Sequence, residues 1–95
     1  MNLKELIERE GATIVDVRET WEVNMGQVDG AINIPLGQVM GRVEEFRSMS
    51  KPLILICASG NRSGQAAAFL KSKGLTDTYN GGGWREVQHL KMQTV

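Results

Sequence analysis

The run Leu53-Ile54-Leu55-Ile56-Cys57 constrains this chain more than any other stretch. Successive side chains of a strand point to opposite faces. Four consecutive aliphatics therefore make a strand with no polar side. Such a strand is stable only in the interior of a sheet whose two faces are both covered. Two other apolar segments offer it neighbours. Thr13-Ile14-Val15-Asp16-Val17 is rich in β-branched residues, and Ala31-Ile32-Asn33-Ile34 is bracketed by Gly30 and Pro35. Asp77-Thr78-Tyr79-Asn80, ahead of Gly81-Gly82-Gly83, is a weaker fourth.

The cover is helical. Leu3 and Leu6 begin a short helix that Gly11 ends. Leu36, Val39, Val43 and Phe46 recur at three to four residues, the spacing of one helix face. The strongest helix runs from Ser63 to Lys73: Ser63 can cap or start it, Ala66 to Ala68 favour it, and Gly74 suits a left-handed stop. Trp84, Val87 and Leu90 mark a last short helix. Strands alternating with helices predict an α/β fold: three layers, with a small, mainly parallel sheet of four to five strands flanked on both faces. At 95 residues, the expectation is one domain spanning 1–95.

Eleven basic and eleven acidic residues cancel, which argues against nucleic acid or an anionic membrane as the main partner. No apolar run approaches a membrane span, and the charged start MNLKELIEREG lacks the apolar core of a signal peptide. A cytoplasmic location is the expectation. No Cys/His cluster exists, so no metal site is expected.

The single cysteine, Cys57, excludes an internal disulfide. It is either a small core residue or a chemical one. The next six residues favour chemistry. The loop Ala58-Ser59-Gly60-Asn61-Arg62-Ser63 links the end of a buried strand to the start of a helix. Ligands of open parallel sheets bind at this end of the strands. A helix N-terminus offers unpaired N–H groups and about half a positive charge. The small residues Ala58, Ser59 and Gly60 let several amides curl toward one anion, and Arg62 adds a cation. A thiol there should ionise more readily than a free one.

With these residues in place, the chain resembles the rhodanese-homology domains. The resemblance rests on Cys57, Gly60, Arg62 and Ser63 in the loop, on Asp16-Val17-Arg18-Glu19, on Gly26 to Pro35, and on Gly82-Gly83-Trp84, in that family's order. It implies a ping-pong sulfur transfer with no cofactor: the Cys57 thiolate takes sulfane sulfur from a small donor anion such as thiosulfate, holds it as a persulfide, and passes it to cyanide or a thiol. It also separates two chemistries. The family's sulfurtransferases use a six-residue loop, whereas its phosphatase relatives place five residues between Cys and Arg. Here four stand between Cys57 and Arg62, which favours sulfur. The alternatives are a relay module that hands its persulfide to an acceptor protein, a non-catalytic interaction module, and a phosphatase-like enzyme.

Other residues carry two readings each. Asp16 and Arg18 either shape the pocket rim or anchor it through an ion pair, for example Arg18 with Glu22. Arg62 either steers an anionic donor or pairs with a rim carboxylate. Ser59 donates its hydroxyl to the persulfide or is simply small. Trp84 lines the pocket edge or packs the last helix. Gln27 stands where the family usually has His, and a structural role is expected for it. His89 is expected to face solvent.

Overall fold

The computed structural model describes residues 2–93. Four strands form one sheet: β1 (Thr13–Asp16), β2 (Ile32–Asn33), β3 (Leu53–Cys57) and β4 (Thr78–Gly83). Their order is β2-β1-β3-β4 and every pairing is parallel. The helices are α1 (Leu3–Glu8), α2 (Thr20–Asn24), α3 (Leu36–Val39), α4 (Val43–Ser48), α5 (Asn61–Ser72) and α6 (Trp84–Met92). This is the expected α/β arrangement, with β3 at the interior.

All five residues of β3 are buried, and their alternation builds two cores. Leu53, Leu55 and Cys57 join Val15, Val17, Val39, Phe46, Ala66 and Leu70 on one face. Ile54 and Ile56 join Leu6, Ile14, Val28 and Val87 on the other. The Cys57 side chain therefore shares its face with α5, the helix that begins next to it. Each large aliphatic buried this way contributes about 1.5–3 kcal/mol.

The structure departs from the sequence expectations in four places. The helix expected from Leu36 to Phe46 is α3 and α4 joined by a 3-10 turn at Met40–Arg42, where Gly41 weakens the α-helical path. Helix α2 has no counterpart among the expected helices. Its first turn is closed by the Glu22 carboxylate, which accepts from the Glu19 amide at 3.0 Å. Helix α5 starts at Asn61, two residues before Ser63, because Gly60 takes a left-handed conformation (φ 97°) as its N-cap. Strand β4 continues through the glycines that the sequence pattern reads as its end. Its register against β3 jumps from Leu55↔Asn80 to Ile56↔Gly82, which leaves Gly81 as an extra residue. A Cβ at Gly81 would lie 2.7 Å from Ile54 Cγ2 and 2.9 Å from Ile56 Cγ2. Only glycine fits that bulge.

Candidate active site

Cys57 is the last residue of β3 and is 1% exposed. Its Sγ lies in the turn that leads into α5. The Gly60 amide donates to Sγ at 3.0 Å and the Ser63 amide at 3.4 Å. The Ser63 hydroxyl is 3.3 Å away. Burial pushes the thiol pKa up, but the Ser63 hydroxyl and the amides of Ser63, Ser59 and Gly60 outweigh it, and the net shift is downward. Loop and helix start thus favour a thiolate, as amides converging on one anion should.

Two features of the site were not legible as such in the sequence. The first is Asn80. Its Oδ1 accepts from the Ser63 hydroxyl at 2.7 Å and from the Gly82 amide at 3.0 Å, while its Nδ2 donates to the Gly60 carbonyl at 3.0 Å. One side chain on β4 therefore ties together Gly60 and Ser63, the two residues whose amides meet Sγ. The bulge at Gly81 is what allows Asn80 to pair in register while the chain beyond it closes against the loop. The Ser63 hydroxyl has a single proton and two acceptors. A thiolate is charged and competes well for it, and Asn80 Oδ1 then keeps the Gly82 amide.

The second is the partner of Arg62. Its guanidinium makes a bidentate pair with Glu22, at 2.6 and 2.9 Å. The hydrogen bond from Arg62, then that from the Glu19 amide, lowers the Glu22 pKa to about 2. The ion pair suggested between Arg18 and Glu22 does not form. Arg18 and Asp16 are both buried and pair with each other at 2.7 Å. Arg18 also donates to the Gly26 carbonyl at 2.8 Å and reaches Glu22 only at its backbone carbonyl, 3.3 Å away. The carboxylate that Arg18 pairs with is nearer in sequence than Glu22. Asp16 is two residues from Arg18, but Arg62 is forty from Glu22, a separation no local pattern reveals.

Trp84 fills both roles, core packing and pocket lining. It packs against the α1–α6 core, and its ring is met by the guanidinium groups of Arg18, 4.6 Å from the centroid, and Arg85, 5.1 Å. It also lines a pocket of about 270 Å³ with Arg18, Trp21, Glu22, Met25, Ala58 and Arg85. Gly26 faces the ring so closely that a Cβ there would sit 2.7 Å from it. Ala58 and Ser59 are exposed on the loop, and the hydroxyl beside Sγ belongs to Ser63. Asn61 is exposed and accepts from Gln65 at 2.8 Å. Gln27 and His89 are exposed, outside the pocket lining. Among the described residues no three His, Cys, Asp or Glu side chains are grouped to hold a metal, and no helix is long and apolar enough to cross a membrane.

Chemically, the arrangement is a buried thiol whose anion is stabilised by fixed amides. Proteins of known sequence and structure resemble this chain. The human single-domain sulfurtransferase TSTD1 superposes with a TM-score of 0.72 at 28% identity, covering 92% of this chain and 89% of that one. The thiosulfate sulfurtransferase GlpE of Shewanella oneidensis is 32% identical over 81 residues, 82% of this chain and 76% of GlpE. YqhL of Bacillus subtilis is 45% identical over 69 residues, 73% of this chain but only 54% of YqhL, so the chain spans about half of that relative. The rhodanese-like domain model matches residues 2–90. With its Cys57 turn, parallel sheet and end-to-end match, the chain belongs to the rhodanese-like domain family.

Proposed function

We propose that the protein is a sulfurtransferase that carries sulfane sulfur as a persulfide on Cys57. One observation carries the reading: the sulfur of Cys57 sits inside a turn of four intervening residues and accepts two amide hydrogen bonds. That turn suits a small sulfur anion, and the relatives named for sulfur transfer are consistent with it.

In the first half-reaction the Cys57 thiolate attacks the outer sulfur of a donor such as thiosulfate. The S–S bond of the donor breaks, its electron pair leaves with sulfite, and Cys57 becomes a persulfide anion. The fixed donors of the turn stabilise the transferred charge without reorganising. In the second half-reaction a nucleophile, cyanide or a thiol, attacks the outer sulfur and the Cys57 thiolate leaves. Asn80, Ser63 and Gly60 act as positioning residues for the turn. Asp16 and Arg18 brace the rim through their buried ion pair. The protein works in the cytoplasm without metal or organic cofactor.

The test is thiocyanate formation from thiosulfate and cyanide by wild type and Cys57→Ser, with intact-mass measurement after thiosulfate alone. Wild type should gain the mass of one sulfur atom and turn over, and the serine variant should do neither. Equal rates in both proteins would end the proposal. A persulfide that forms but resists cyanide and moves to a partner protein would select the relay reading instead.

A further inference from the structure

Two arginines, Arg18 and Arg85, line the pocket beside the Cys57 turn, and a third, Arg62, pairs with Glu22 of its wall. Arg18 is held by Asp16, and Arg62 by Glu22. Arg85 is exposed, lines the same pocket, and among the described residues has no carboxylate partner; its contact is the Trp84 ring. It is the second residue of α6, in the first turn, where the helix dipole disfavours a cation. The rest of the lining is unusual for a surface. Trp21 is 65% exposed and Met25 82%, beside the half-buried Trp84 ring. The pocket's 270 Å³ is room for roughly nine waters, far more than an inorganic sulfur anion fills. Ala58, next to Cys57, forms part of its wall.

We infer that this pocket binds the body of a carboxylate-bearing organic thiol, with its apolar part on Trp21, Met25 and Trp84 and its carboxylate on Arg85. The inference rests on the Cys57 persulfide and names the class of acceptor that removes the sulfur. The apolar walls suit a hydrocarbon or ring, and a planar guanidinium suits a carboxylate. The acceptor thiolate, R–S⁻, attacks the outer sulfur of the Cys57 persulfide. The S–S bond within the persulfide breaks, its electron pair returns to Cys57 as thiolate, and R–S–S⁻ departs. Atoms and charge balance with no further reactant.

The experiment uses two acceptors that differ only in charge: para-mercaptomethylbenzoate and its primary amide. Intact mass first establishes that thiosulfate loads Cys57 with sulfur. Transfer to each acceptor is then followed by loss of that mass at limiting acceptor. Wild type should favour the acid over the amide by about fivefold in kcat/KM, the upper range for one exposed ion pair. Arg85→Gln should abolish that preference through the KM of the acid, and Trp21→Ala should raise KM for both acceptors. Arg42→Gln, at a surface cation on the opposite helical layer, should keep the wild-type ratio. Equal use of acid and amide by wild type, or a preference that survives Arg85→Gln, would overturn the inference and leave the persulfide intact. Failure of Cys57 to load at all would strike the parent proposal.

Discussion

Removal of the Ser63 hydroxyl tests how the thiolate is held. Ser63 is fully buried at the third position of α5, with Oγ 3.3 Å from Cys57 Sγ and 2.7 Å from Asn80 Oδ1. A hydrogen bond to a charged group contributes about 1.5–3 kcal/mol. Here the contact is long and its proton is shared with Asn80, so the lower end applies, about 1.5 kcal/mol, or on the order of a factor of ten in the thiolate fraction. In Ser63→Ala the Gly60 and Ser63 amides remain on Sγ, and Asn80 Oδ1 still accepts from Gly82. The fold therefore survives, and the thiol pKa rises because burial is opposed by fewer donors. Over a pH series, alkylation by iodoacetamide should slow by up to about tenfold in Ser63→Ala on the acid side of the thiol's titration, while rates converge at high pH where both thiols are ionised. A rate–pH profile that coincides with that of wild type, in a variant with wild-type circular dichroism, would refute the role of the hydroxyl and leave the amides as the whole cause.

The packing and charges predict further outcomes. Gly81→Ala should destabilise the protein by about 1–3 kcal/mol, because the new Cβ meets Ile54, Ile56 and the Leu55 carbonyl; a urea midpoint within error of wild type would contradict the bulge. Asp16→Ala strands the buried Arg18 and should cost about 3–5 kcal/mol, read as a large drop in melting temperature. The Glu22 carboxyl titrates at about 2 in the fold rather than near 4.5. Its depressed pKa gives stability that is present above the unfolded value and disappears as pH falls through about 2. NMR of the Glu22 side chain should accordingly show it ionised at pH 3, and protonation there would contradict the Arg62 pair. Glu22→Gln, which frees Arg62, should lower KM for thiosulfate a few-fold with a steeper salt dependence; an unchanged KM would mean Arg62 does not sense the donor.

The features legible in the sequence had a local cause. The all-apolar β3 demanded an interior position, and the thiol's setting came from strand, small residues and helix start in one continuous stretch. Helix α5 announced its end at Gly74, which adopts the left-handed conformation expected of it, φ 92°. The obscure features had distant causes. Asn80 looked like the end of a weak strand, because its role depends on a bulge that three glycines disguise as a break. Glu22 gave no signal toward Arg62, since charge pairing across the fold leaves no periodicity. Helix α2 has five residues, too few for an apolar stripe to declare itself, and a glutamate stands at its N-cap in place of the usual short polar residue. Its Trp21 and Met25 point outward, against the rule that large apolar side chains lie inside.

The alternation along β3 has a consequence for how this chemistry tolerates change. Cys57 stands an even number of residues from Leu53 and Leu55, and parity alone puts its sulfur on the layer where α5 begins. A single-residue insertion in β3 would turn the thiol over to the α1–α6 layer, beside Val87 and Leu6, with every hydrophobic contact inverted as well. An insertion of two would restore the side but not the reach. The reactive sulfur is thus tied to an odd-or-even count in the most buried strand.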